Sequence, residues 1–113
     1  MDSYIESLMS YQDMHLIEEQ DHFYGIRIIG RGEHLFFKEN DKGLICMIDA
    51  VHGVIYKNTV KTWDTTGKRM NQVERARVLK LIVKCYRRFC NPNVIVMEND
   101  DKGAFQILIP SDE

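Results

Sequence analysis

Residues 71–90, NQVERARVLKLIVKCYRRFC, constrain the fold more than any other stretch of this chain. Apolar residues recur there at helical spacing through Val78, Leu79, Ile82, Val83 and Tyr86. Asn71 stands at the N-cap position with Glu74 three residues on, the spacing of a capping box. Asn91-Pro92-Asn93 follows, and proline cannot continue a helix. The pattern predicts one long helix over 71–90. At about 100° per residue, Arg77, Lys80, Lys84, Arg87 and Arg88 fall within an arc of about 100°. Apolar residues cover most of the remaining circumference, which predicts a helix embedded on two sides.

The segments flanking this helix read as strands. FYGIRIIG from Phe23, HLFFKE (34–39), LICMIDAV (44–51) and VIYKNTVKTW (54–63) precede it, and NVIVME (93–98) and AFQILIP (104–110) follow. LICMIDAV has few polar residues, which predicts burial on both faces. Gly30-Arg31-Gly32, Asn40-Asp41-Lys42-Gly43 and His52-Gly53 have the chemistry of tight turns. DTTGK (64–68) reads as a loop. Strands this short, joined by such turns, indicate an antiparallel meander. Ser3 and Glu6 also have capping-box spacing, followed by Ile5, Leu8 and Met9, so a short helix is expected near 4–12. Residues 12–21 are acidic and only weakly periodic. The expected fold is therefore α+β. An antiparallel sheet of about six strands, in the order β-β-β-β-α-β-β, carries the long helix on one face and a short N-terminal helix. With 113 residues and no linker composition, 1–113 reads as a single domain, with 1–22 an acidic N-terminal arm or helix.

Charge is unevenly placed within a net charge of −2. Residues 1–23 hold six acids and no Lys or Arg, whereas 68–90 hold eight bases and one acid. Such separation bears on association more than on fold. The basic stripe admits three readings. It is a solvated face, or it receives the acidic arm, or it is a nucleic-acid footprint through Arg77, Lys80, Lys84, Arg87 and Arg88. Against nucleic acid, the chain is not basic overall, and it has no helix-turn-helix pair and no aromatic signature of an RNA-binding sheet.

Reactive machinery is not apparent in the pattern. His15, His22, His34 and His52 are scattered without zinc spacing. Gly30-x-Gly32 lacks the rest of a dinucleotide fingerprint. Cys46, Cys85 and Cys90 form no CxxC and read as reduced core or near-core thiols. We therefore expect no enzyme, no catalytic, cofactor or metal residues, and no membrane span. A cytoplasmic location is the default.

The run YGIRIIGRGEHLFFKE, the strand ending KTWD, the Gly-Lys turn and the helix NQVERARVLKLIVKCYRRF together resemble small immunity proteins of bacterial polymorphic and contact-dependent toxin systems. The likeness covers about Tyr24 to Phe89. It implies a cytoplasmic protein that binds and blocks one cognate toxin. Many such toxins are nucleases with basic clefts, which an acidic surface would mimic phosphate to enter. Charge and turn placement, not the resemblance, supply the partner-binding residues: Glu18, Glu19 and Asp21 in the arm, and Glu39, Asp41, Glu98, Asp100 and Asp101 at two turns. Trp63, the sole tryptophan, is either a lid on the core or an interface anchor. The acidic arm of one chain meeting the basic stripe of another would make a homodimer.

Overall fold

In the computed structural model, which describes residues 3–10, 14–100 and 103–107, the chain folds as α+β. Helix α1 (Ser3–Met9) precedes strands β1 (His15–Glu19), β2 (His22–Ile29), β3 (His34–Glu39), β4 (Lys42–Asp49) and β5 (Val54–Tyr56). A short 3-10 turn (Lys57–Thr59) leads to a small hairpin, β6 (Thr62–Trp63) and β7 (Lys68–Arg69). Helix α2 (Gln72–Phe89), β8 (Ile95–Asp100) and β9 (Gly103–Ile107) complete the order.

The main sheet has seven strands, ordered β1-β2-β3-β4-β5-β8-β9. One feature corrects the expected antiparallel pairing, and another adds a strand at the edge of the expected sheet. First, β5 and β8 run parallel, so the sheet is mixed. The cause is α2 itself. A long helix between two neighbouring strands returns the chain to the end where it started, which makes the second strand parallel. Second, the acidic segment before Phe23 contains a strand, β1, paired in register with β2. Only Ile17 of its five residues is buried, which is why its periodicity is faint.

Alternation along each strand divides the residues between two faces. Tyr24, Ile26, Leu35, Phe37, Leu44, Cys46, Ile48, Ile55 and Val96 face α2, against Val78, Leu79, Ile82, Val83, Cys85 and Tyr86. Each fully buried Leu, Ile or Val here contributes about 1.5–3 kcal/mol relative to an exposed one. A second, smaller core lies on the opposite face, where Ile5 and Leu8 of α1 meet Ile29 and Phe36. Among the described residues the sheet is thus covered on both sides, by α2 with Val60, Trp63 and Met70 on one and partly by α1 on the other. Strand β4 differs from expectation for this reason. Leu44, Cys46 and Ile48 are buried under α2, but Met47 on the other face is exposed. Cys46 and Cys85 are core thiols, and burial pushes both up to about 12. Cys90 instead lies exposed just past α2.

The expected strand over 54–63 is broken by the 3-10 turn. This lets side chains reach the outer edge of β4. Thr65 Oγ1 accepts from the Gly43 N–H at 3.2 Å, Asp64 Oδ2 from Ile45 at 2.7 Å, and Thr59 Oγ1 from Met47 at 2.9 Å. Where β4 leaves β5, three side chains replace a neighbouring strand.

Helix α2 starts where its cap residues place it. The Asn71 side chain accepts the Glu74 N–H at 2.8 Å, while the Glu74 carboxylate turns to Arg77. Asn71→Ala should cost about 1 kcal/mol of stability, the usual value of such a cap. Urea denaturation checks this, and an unchanged midpoint would mean that the Asn71 bond contributes nothing. Among the described residues, no helix is long and apolar enough to cross a membrane.

Candidate interaction surface

Strand alternation places Glu19 and Glu39 on the α2 side of the sheet, beyond the buried Ile17 and Phe37. There they meet the basic stripe. Glu39 is 7% exposed and accepts from both terminal nitrogens of Arg77, at 2.6 and 2.9 Å. His22 Nε2 lies 2.7 Å from the same carboxylate, and Arg77 also bonds Glu74 at 3.0 Å. Lys84 donates to Glu19 at 2.7 Å, and the Tyr24 hydroxyl donates to Glu19 as well.

The electrostatics follow from these contacts. Burial works to raise the Glu39 carboxyl, but Arg77 and His22 override it and hold the group below its ordinary value. Lys84 and then Tyr24 lower Glu19. Burial and the Glu19 carboxylate raise the Tyr24 hydroxyl. Arg77 and Lys84 are both raised, chiefly by their bonds to Glu39 and Glu19. The acidic arm therefore does lie against the basic stripe at Glu19. Arg88 stacks on the Phe89 ring, and Lys80 and Arg87 are each engaged in an interaction of their own. The simple division into a positive rod and a negative scaffold is corrected accordingly, because two of its cations are matched to carboxylates.

Glu18, Asp21 and Asp41 remain exposed. Two hairpin turns bring two of them to one end of the sheet. Gln20 and Asn40 adopt the left-handed conformation, with φ of 56° and 50°. The Asn40 N–H donates to the Phe23 carbonyl at 2.8 Å, and the Phe23 N–H donates to Asn40 Oδ1 at 3.0 Å. The turn bearing Asp21 is thereby pinned beside the turn bearing Asp41. Glu18 sits directly across from Phe23 in the β1–β2 register. Phe23 and Leu16 are large apolar side chains that remain 45% and 50% exposed. With Asp21, Lys38 and Asn40 they line a concavity of about 480 Å³. The Lys38 ammonium is turned to the Met9 carbonyl at the end of α1, 2.9 Å away. What results is a largely apolar hollow lined by one acid and one lysine, with the exposed Glu18 and Asp41 on the adjoining strand and turn.

The other sequence-derived residues lie elsewhere. Glu39 is a buried structural carboxylate, not an open turn acid. Glu98 is half-buried and pairs with Lys57 at 3.4 Å. Asp101 lies outside the described residues, as does the side chain of Asp100. Trp63 is 2% exposed, stacked near Phe37 and covered by Lys42, so it is a core lid and no surface anchor. Its indole N–H is buried without a partner among the described residues. Leu16 and Phe23 were not anticipated as surface residues. The available signal was the alternation HLIEE, in which Leu16 and Glu18 share a face opposite Ile17.

His52 bonds Asp49 across a turn at 2.8 Å, and Asp49 is lowered by that contact. Among the described residues, no three His, Cys, Asp or Glu side chains are grouped to hold a metal ion. No family model, curated protein or solved structure matches the chain.

Proposed function

We propose that this chain is an immunity-type inhibitor. It binds one cognate toxin in the cytoplasm, without catalysis, and covers the basic cleft with the β1–β2 end of its sheet. The observation that supports this reading is the exposed set Glu18, Asp21 and Asp41 around the half-exposed Leu16 and Phe23. These acids steer a basic partner into place, and the aromatic group at the centre slows its release. A nuclease cleft, built to hold phosphate, has the matching charge. The competing reading, nucleic-acid binding by α2, is weakened because Arg77 and Lys84 already spend charge on Glu39 and Glu19.

The test uses a toxin domain encoded beside this chain's gene, with association followed by stopped flow. Reversing Glu18, Asp21 and Asp41 to Lys should lower the on-rate by about 10–100-fold at low salt and flatten its salt dependence. Phe23→Ala should mainly raise the off-rate. If neither rate changes, the β1–β2 end is not the docking face. A shift of labelled DNA or RNA by the unmodified chain at low salt would favour the α2 reading instead.

A further inference from the structure

The backbone of β1 narrows what kind of element docks there. Because Asn40 donates to the Phe23 carbonyl, odd-numbered residues of β2 turn their backbone groups toward β3. Even-numbered ones therefore turn theirs toward β1, since the direction alternates along a strand. Tyr24 opposite Ile17, and His22 opposite Glu19, are then the bonded pairs. Leu16 and Glu18 must point their N–H and C=O groups away from the sheet. The close approach of Leu16 to Gly25 agrees, since pairs that exchange no hydrogen bonds lie nearer together.

This edge differs from the stretch of β4 that runs beyond β5. On β4, each outward N–H from Gly43 to Met47 is met by a side chain. On β1, no described residue does the same for Leu16 or Glu18. Natural edges are commonly blunted by lysine, proline or a bulge. HLIEE has no lysine or proline, and its register with β2 is unbroken.

We propose that the partner adds an extended, basic strand to β1. The proposal rests on the reading of the β1–β2 end as the docking face, and it identifies the partner's element. Main-chain bonds to Leu16 and Glu18 would supply affinity, and alternate side chains would supply selectivity. On the open face, a lysine or arginine of the incoming strand meets Glu18, and an apolar side chain meets Leu16. Glu19 faces α2 and is occupied by Lys84, so charge selection falls on Glu18 and the adjacent Asp21.

The test uses a short peptide repeating Lys-Thr-Val-Thr, which alternates lysine and valine along one face, and the same peptide N-methylated on every second residue. N-methylation removes donors along one edge and leaves the side chains and charge in place. The unmodified peptide should slow hydrogen exchange at Leu16 and Glu18, and methylation should weaken binding at least about 10-fold. Equal binding of both peptides would overturn strand addition. If Glu18→Lys still abolished that binding, the acidic docking face would survive without it. Failure of both peptides to bind, or binding with no protection at Leu16 and Glu18, also overturns strand addition. The toxin kinetics then judge the docking face independently.

Discussion

Arg77→Met should destabilise the fold by about 2–3 kcal/mol, below the roughly 3–5 kcal/mol seen when a fully buried ion pair loses one partner. The discount reflects the partial exposure of Arg77, because solvent screens a group that remains half open. The loss arises less from the missing attraction than from Glu39, left in the core with only His22 beside it. Glu39→Leu combined with Arg77→Met should therefore recover most of the loss, since it removes the stranded charge as well. Denaturant titration of the two single variants and the double variant decides the matter. Additive losses would mean that the pair is not coupled.

The same pair contributes to the pH dependence of the fold. The native Glu39 carboxyl sits below its ordinary value of 4.5, so over that interval the unfolded chain binds more protons. Its contribution is fully present above the unfolded value and is lost as pH falls through the native one. Without Arg77, burial dominates and the native value rises. The stability deficit of Arg77→Met should then shrink as pH falls and Glu39 takes up its proton, so that variant and unmodified chain converge in acid. Identical acid profiles would show that Arg77 does not hold the carboxylate charged.

Gly25→Val should detach β1. Valine favours strands, so propensity alone would predict a gain. Sterics oppose it. A Cβ at Gly25 would lie 2.3 Å from the His15 carbonyl oxygen and 2.9 Å from the Leu16 Cα, both backbone atoms that cannot rotate away. The strand must move, which exposes Ile17 and parts Glu19 from Lys84 and Tyr24. Together these should cost about 3 kcal/mol or more, most of it lost apolar burial. Hydrogen exchange gives the direct view. The Ile17 amide should lose protection while the α2 amides keep theirs. A variant with Ile17 still protected and unchanged stability would refute the steric argument. Because β1 carries Leu16 and Glu18, partner association should fall with it.

Local pattern was enough for α2, for β3 and for the turns at Gly30, Asn40 and Gly53, since each depends on residues a few positions apart. It was not enough for β1, where one buried residue in five leaves almost no periodicity. It also misjudged 54–63, whose strand-like composition yields to a 3-10 turn that brings Thr59 to the edge of β4. Trp63 was recognised as a core lid or an anchor, and only packing chose between them. Of the acids named from charge and turn position, Glu18, Asp21 and Asp41 stay open, whereas Glu39 is buried and Glu19 is bonded.

The amino-acid order alone determined where the long helix starts and stops, and that strands surround it, because caps, prolines and apolar spacing act within a turn or two of chain. The tertiary structure alone decided which charges face solvent. Glu39 finds Arg77 across 38 positions, and Glu19 finds Lys84 across 65. Charge–charge pairing depends on distance in space, and only the register of the sheet beneath α2 sets that distance.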